Sequence, residues 1–416
     1  VDQFLSLVQG LNVKANPQPQ RVLYLHPAGP YGGASKSLVE LYCQLRKFGV
    51  EGTVLTPRGS AATAFEEAGM SVFPVSGLSQ FDNTLYGHYR RLRWLILIRE
   101  LSYLPGSLLA IWRLRGEHFD ILHLNEVTLL PLGIVAKKLL GVPMVVHVRS
   151  LQCLPRRNWR AKIINLWLGR FADAIVPIDH TVAKTLDAAL PVNIVHNGLQ
   201  VGSSIEAKKV ARSPNRWFRV GFLGVLIPLK GIFELVEAIR ILKDRGVAIQ
   251  CVVAGEDARE LNGIRGWALR ILGFGRNVRA ELNQIILKYG LERHVQLLGF
   301  VKDIRALYPT LDALCFPSHL NSAGRPVFEA AFFEVPSVVA VENPLPDAVL
   351  HEQTGLAIPR PEPKLIADAL QRLVEDDAFR LMLGRQARAW AVDKFSIEKN
   401  AAAVFEIYDL LARRGQ

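Results

Sequence analysis

Short apolar runs of strand length alternate along the chain with longer segments whose apolar residues recur at helical spacing. The strand-length runs of the first half are RVLYLHPAG (21–29), GTVLTP (52–57), SVFPV (71–75), DILHLN (120–125), PMVVHVR (143–149), DAIVPI (173–178) and NIVHNG (193–198). Residues 201–216 then lose all apolar periodicity and turn polar, which marks a linker. A second series follows: FRVGFLG (218–224), IQCVVAGE (249–256), HVQLLGFV (294–301), ALCFPS (313–318), PSVVAV (336–341) and GLAIP (355–359). Unalternated Val, Ile and Leu runs separated by helices signal parallel strands buried on both faces. The pattern predicts an α/β chain of two doubly wound units in tandem. Residues 21–200 form the first unit and 217–395 the second, with 1–20 as an extension ahead of them and 396–416 as a closing helix. That helix is amphipathic through Ala402, Val404, Phe405, Ile407, Tyr408, Leu410 and Leu411, and is expected to pack back on the first unit.

Composition agrees with two cores. The chain has 416 residues, past the roughly 250–300 at which a single core stops growing. With 50% hydrophobic and 21% charged residues it is neither disordered, collagen-like nor a disulfide scaffold. Cys43, Cys153, Cys251 and Cys315 show no C-x-x-C spacing and read as reduced thiols of a cytosolic protein. No signal-peptide pattern opens the sequence, which begins at Val1. The most membrane-like stretch, Trp94 to Trp112, is interrupted by Arg99, Glu100 and Pro105, so a cytoplasmic protein without a spanning segment is expected.

Three strand ends carry the candidate chemistry. The first strand runs into HPAGPYGGASKSL, where Gly32 and Gly33 precede a helix. Free N–H groups and the dipole at a helix start favour a phosphate, although a tight strand-to-helix turn explains the same glycines. It is not a Walker A loop, because Ala34-Ser35 precede Lys36. The second series opens with GFLGVLIPLKG, in which Gly224 ends a strand and Lys230-Gly231 begin a helix. A lysine there suits a diphosphate as a point charge, or is simply solvated. The third end is CFPSHLNSAGRPVFEAAFFEVPSVVA, a strand (Ala313–Phe316) leading through Asn321, Ser322, Gly324 and Arg325 into a helix with Pro326 at its first position and Glu329 one turn inside. A carboxylate facing a crevice can accept two ribose hydroxyls, and a first-turn Glu also complements the helix dipole. Arg325 is placed to clamp a phosphate bidentately.

In this order, Gly32-Gly33, Asn197-Gly198 in VHNGL, Gly224 to Lys230-Gly231, and Pro317-Ser318 followed by Glu329 resemble the signature of the GT-B-fold retaining glycosyltransferases of family 4, glycosyl transferases group 1. The tail HEQTGLAIPRPEPKLIADALQRLVED (351–376) also resembles that family, so the likeness spans about residues 21–410. It implies two Rossmann-like domains facing across a cleft, with an acceptor on the first and a nucleotide-diphosphate-sugar, UDP- or GDP-linked, on the second. It assigns Lys230 to the diphosphate, Glu329 to the ribose and Gly33 to a phosphate, with Gly32, Gly224, Asn321, Ser322, Gly324 and Arg325 around the donor. Neither metal nor other cofactor is expected, because there is no D-x-D motif and the ten histidines show no ligand spacing.

The chain departs from the family three times: Val225 stands where an Arg is usual, Asn321 where a Glu is usual, and Arg149 where the active-site His is usual. Arg325 is the candidate replacement for the missing cation. His147 and Arg149 share a strand face and are expected to look into the cleft together as catalytic residues, although Arg149 cannot act as a base. A catalytically silent protein that binds nucleotide-sugar or a partner therefore stays open beside the enzyme.

Charge adds a partner. The formal excess is +12; residues 1–200 carry 21 basic and 13 acidic side chains, a net of +8, and residues 201–416 carry 29 and 25, a net of +4. Such an excess seeks anions. The segments 86–116 and 154–170 interleave Arg and Lys with Trp, Tyr and Leu. That composition suits the anionic inner face of a membrane and a lipid-linked saccharide acceptor, or a solvated basic rim around buried aromatics. Single-stranded nucleic acid is set aside, because no RNA-recognition, KH or helix-turn-helix signature occurs. A third such segment, Arg259 to Arg279, reads as an insertion without an assigned purpose. The combined expectation is a peripheral, retaining, hexosyltransferase-type enzyme acting on a lipopolysaccharide, O-antigen, capsule or exopolysaccharide acceptor.

Overall fold

Each half of the chain lays down its own six-stranded parallel sheet. The computed structural model describes residues 19–85, 94, 96–154, 158–199, 216–256, 277–301 and 303–414. Nearly all of the expected N-terminal extension, the 201–216 linker and the 259–279 insertion lie outside the described residues. The chain divides into two compact units, residues 1–200 with 395–416 and residues 201–394.

In the first unit the strands are β1 (Gln20–Leu25), β2 (Val50–Pro57), β3 (Ser71–Val75), β4 (Ile121–Leu124), β5 (Met144–Val148) and β6 (Ala174–Pro177), in the order β3-β2-β1-β4-β5-β6. All neighbours pair in parallel. Side chains alternate between the two faces along each strand. Val22 and Tyr24 thus join one buried cluster with α1 (Gly33–Leu45), α2 (Ser60–Glu67) and the C-terminal α12 (Ile397–Arg414), whereas Leu23 and Leu25 join the other. The second cluster contains α3 (Ile96–Leu114), α4 (Leu130–Leu140) and α5 (Trp159–Phe171). Pro105 lies inside α3 and does not end it, because Glu100 on one side and Ser107, Ala110, Ile111 and Leu114 on the other anchor the helix by burial.

The run NIVHNG is not a strand, contrary to the pattern. It follows the one-turn α6 (His180–Ala183) and meets β6 through an isolated bridge, Val192 to Ile175, and through the N–H groups of Asn193 and Val195, which donate to the Ile175 and Pro177 carbonyls; Leu199 bridges Ser396 just ahead of α12. Gly198 has a packing role instead: a Cβ there would lie 2.5 Å from Cα of Ile397, where α12 begins. Ile397, Ala401, Val404, Phe405, Tyr408 and Leu411 then recur at helical spacing in the buried cluster that holds Leu38 and Leu41.

The second unit repeats the plan. Strands β7 (Phe218–Leu223), β8 (Ile249–Ala254), β9 (Val295–Gly299), β10 (Ala313–Phe316), β11 (Ser337–Ala340) and β12 (Gly355–Ile358) lie in the order β12-β11-β10-β7-β8-β9. Helices α7 (Ile232–Asp244), α8 (Val278–Lys288), α9 (Arg325–Phe332), α10 (Pro363–Glu375) and α11 (Asp377–Phe395) complete the fold. In each unit the chain starts in the middle of the sheet, builds one side and then crosses to the other. The order therefore reverses between β1 and β4 and between β7 and β10, and crevices at carboxyl ends open at such reversals.

Burial of α12 in the first core is testable. Phe405 is 7% exposed and stacks on Phe48 at 5.2 Å. Phe405→Ala is expected to cost about 3 kcal/mol in urea unfolding of the first unit.

Candidate functional site

At the reversal in the second sheet, two neighbouring strands end in loops that touch. After β7 the chain passes Gly224 and forms a 3-10 turn, Pro228–Lys230, before α7. Gly231 has φ +75°, and a Cβ there would lie 1.7 Å from the Pro317 carbonyl oxygen of the β10–α9 loop, so only glycine allows this contact. The carbonyl of Leu229 accepts bonds from the His319 N–H (2.9 Å) and the Ser318 hydroxyl (3.3 Å), fastening the two loops together. Lys230 Nζ comes to lie over Gly224, 2.8 Å from where a Cβ would stand.

Lys230 is the exceptional cation. Its ammonium makes no hydrogen bond or ion pair among the described residues, and burial alone pushes its pKa below the usual lysine value. A cation withdrawn from water without a carboxylate is costly, and an anion at that place would relieve the cost.

Glu329, in α9, is held from both sides. Its Oε2 accepts the Tyr308 hydroxyl (2.6 Å) and its Oε1 accepts Arg325 Nε (2.8 Å). Tyr308 is fully buried, stacked on Phe333 at 5.3 Å, and its pKa is raised well above normal by burial and then by Glu329. Arg325, expected as a phosphate clamp, is thus first tied to the carboxylate. Asn321, expected on the donor, is in the left-handed region (φ 49°), and its Oδ1 accepts the Glu342 N–H at 2.7 Å, so its acceptor is used to shape the loop. Ser322 is half-buried, and Gly324 caps α9 where a Cβ would strike the Phe316 ring at 2.3 Å. The helix begins at Arg325, one residue ahead of Pro326.

In the first unit, polar residues at alternate positions line the face under α1 and α12: Tyr24 and His26, His123 and Asn125, His147 and Arg149. Arg149 is half-buried at the carboxyl edge, where its Nε donates to Asn125 Oδ1 (2.9 Å) and its Nη1 to Asn197 Oδ1 (2.5 Å). Its Nη2 lies 3.3 Å from His147 Nδ1. The expectation that His147 looks outward beside Arg149 is corrected. Both point to one face, but a strand rises about 3.3 Å per residue, so His147 sits roughly 6.6 Å deeper. It is 3% exposed and supports the arginine from below.

Because a guanidinium only donates, Arg149 sets the proton of His147. His147 Nδ1 must accept, which puts its proton on Nε2, an enclosed atom without a partner among the described residues. His123 Nε2 lies 3.3 Å from the same Nδ1, and His123 Nδ1 meets the Tyr408 hydroxyl of α12 at 2.5 Å, a hydroxyl that also lies 3.4 Å from that of Tyr24. On the other side, Asn125 Nδ2 donates to His26 Nδ1 (2.8 Å), and His26 Nε2 faces the Ser35 hydroxyl at 3.0 Å. Burial, with Arg149 second, lowers His26 and His123 to about 3 and His147 well below normal, so all three are neutral.

Gly32 and Gly33 stand at the start of α1 with nothing within 4 Å of an added Cβ. The protein's own packing does not require glycine there, and the space over the helix start is open. Glu126, directly after Asn125, has its carboxyl pushed up to about 7 by burial, against hydrogen bonds from Val127 N–H and Ser150. It lines a cavity of about 210 Å³ with Gln80, Asp82, Thr84, Arg99 and Thr128. Sequence reading missed His26, Asn125, Glu126 and Tyr308. The first three were signalled by polar residues at the carboxyl ends of otherwise apolar strands; Tyr308 carries no local signal.

Two measurements check this arrangement. Long-range ¹H–¹⁵N spectra should show His26 and His147 as Nε2–H tautomers, and Arg149→Met should release His147 from that form. Their lowered pKa values mean stability that is complete above about pH 6.5 and lost as pH falls toward 3, each histidine adding up to about 1.4 kcal/mol per pH unit. Glu126, raised to about 7, opposes this between about pH 4.5 and 7, so Glu126→Gln should steepen the gain in stability on raising the pH. Urea titrations across pH 4–7 read both slopes.

Comparison with known proteins agrees with the two-unit geometry. Residues 204–390 match the family of glycosyl transferases group 1, and residues 32–198 match the glycosyl transferase 4-like domain. The chain is 27% identical over 357 residues to the D-inositol 3-phosphate glycosyltransferase of Corynebacterium jeikeium, covering 80% of this chain and 82% of that protein. Over 179 residues it is 25% identical to the capsular polysaccharide biosynthesis glycosyltransferase CapM of Staphylococcus aureus, 43% of this chain and 42% of CapM. Its fold matches the crystal structure of Anabaena HepE in complex with UDP and glucose, with a TM-score of 0.70 and 19% identity over 94% of this chain and 99% of that one. With both units matched, and each sheet reversing where the glycine loops and the polar strand ends lie, the chain belongs to the GT-B glycosyltransferases of the group 1 type.

Proposed function

We propose that this glycosyltransferase is a retaining enzyme that moves a sugar from a UDP- or GDP-sugar to a lipid-linked or surface-polysaccharide acceptor at the anionic inner face of a membrane. The observation that carries the donor half is Lys230, a largely buried ammonium with no partner among the described residues at the sheet reversal of the second unit. Structures with the same fold hold UDP, and CapM, a relative, makes capsular polysaccharide.

In this reading Lys230 neutralises the nucleotide diphosphate as the bond from the sugar C1 to the phosphate oxygen breaks. The acceptor oxygen bonds to C1 on the same face, and its proton passes to the departing diphosphate oxygen. Glu329, oriented by Tyr308 and Arg325, takes the ribose hydroxyls through its remaining lone pairs. Arg149 donates to the sugar or the phosphate. Gly32 and Gly33 leave room for a phosphate at the start of α1. With a lysine as the cation and no D-x-D motif, the transfer runs without a metal ion.

Release of UDP or GDP from sugar nucleotides in the presence of membrane extract tests the reading. Lys230→Ala is expected to lower kcat by roughly 100- to 1,000-fold, the cost of losing one positioned donor. Tyr308→Phe should raise KM for the donor with a smaller change in kcat, and EDTA should leave turnover unchanged. Stabilisation by UDP or GDP without any turnover would make the chain a silent binding protein instead.

A further inference from the structure

The two helix layers of the first unit show solvent very different surfaces. Helices α1, α2 and α12 carry four basic and six acidic residues. Among the described residues, Leu410 alone of their large apolar side chains is exposed. Helices α3, α4 and α5 carry seven basic residues and a single acidic one, Glu100, which is 4% exposed and bonded to Arg99 and the Gln80 N–H.

That second layer also turns apolar side chains outward. On α3, Ile98, Leu101, Leu109 and Trp112 are 65, 55, 48 and 49% exposed and recur at helical spacing, with Pro105 between them. The opposite side of α3 buries Ala110, Ile111 and Leu114, so the helix is apolar on both sides. Such a helix is normally covered on both. On α5, Trp159 and Leu166 are 57 and 67% exposed, and α4 packs between the two helices. The Trp94 and Trp159 rings stack 6.4 Å apart at 9°. Arg115 lies 4.5 Å over the Trp112 ring, and Lys162 and Arg170 are exposed on α5.

We propose that the α3–α4–α5 layer is the surface that docks on an anionic lipid bilayer, with the α3 stripe and the Trp159–Leu166 face of α5 at the headgroup boundary and the arginines and lysines on lipid phosphates. The proposal rests on the lipid-linked acceptor proposed above and names the surface that brings it. Charge decides between occupants. A second copy placed on this layer would set the five exposed cations Arg99, Arg113, Lys138, Lys162 and Arg170 against the same five, with Glu100 buried, whereas lipid phosphates complement them. Among the described residues no helix is long and apolar enough to cross a membrane, so docking here is lateral.

Flotation with vesicles of phosphatidylcholine containing phosphatidylglycerol, against phosphatidylcholine alone, tests this. The protein should float with the anionic vesicles at least about tenfold better, and high salt should reduce the difference. Leu101→Glu with Leu109→Glu should abolish flotation, while Leu410→Glu on the opposite layer should not. Both variants alter exposed side chains, and circular dichroism checks that they fold. Brominated lipids should quench tryptophan fluorescence in the native chain and not in the double variant. Equal binding to both vesicles, a double variant that floats like the native chain, or a dimer that the double variant breaks would each overturn the proposal. Turnover of sugar nucleotide in detergent with no flotation removes this surface and leaves the transfer reaction standing. Flotation without turnover removes the reaction and leaves the surface.

Discussion

The reversal of strand order within each sheet is the constraint on which the rest depends. Parallel strands need crossovers, and a chain that begins mid-sheet must send its helices to opposite sides of its first strand. Only at the reversal do two adjacent loops diverge and leave a crevice at the carboxyl edge. Both candidate half-sites lie there: the Gly32-Gly33 turn with Asn125 between β1 and β4, and Lys230 with Glu329 between β7 and β10. Polar chemistry gathers at these edges because the interior faces of a doubly covered parallel sheet cannot satisfy it.

The two crevices use opposite electrostatic devices. In the second unit the Lys230 ammonium has no partner among the described residues, and burial lowers its pKa. In the first, Arg149 is satisfied by Asn125, Asn197 and the neutral His147. A donor-only guanidinium makes His147 Nδ1 the acceptor, above a buried contact of His123 with Tyr408 on the C-terminal helix. That helix therefore contributes to the order of the first crevice as well as to its core. Arg149 is held by two amide oxygens, those of Asn125 and Asn197.

Much of the fold was legible because burial on both strand faces leaves a simple mark. Twelve of the thirteen expected strands exist, within a few residues of their expected ends. The exception, 193–198, bonds β6 through the Asn193 and Val195 N–H groups and then leaves the sheet toward α12, where Gly198 packs on Ile397. Site residues named by motif, such as Lys230 and Glu329, stand at the strand ends that the pattern gave them. Their partners did not follow from spacing: Arg325 faces Glu329 because both lie on α9, but Tyr308 reaches it from another loop.

What the sequence by itself determined is the alternation of strands and helices, the two-unit plan, the glycine turns and the family, since each is written in local periodicity or short spacing. Only the tertiary structure decided that Lys230 has no partner among the described residues, that His147 is a support rather than a contact, and that Asn321 is occupied by the Glu342 N–H just after β11. It also decided that Trp112, Trp159 and five of the seven cations of α3, α4 and α5 turn outward. The physical reason is the same in each case: burial and hydrogen-bond satisfaction depend on which strands and helices become neighbours. Neighbours in this fold come from segments hundreds of residues apart: Tyr408 meets His123, 285 residues away, and Tyr24, 384 residues away.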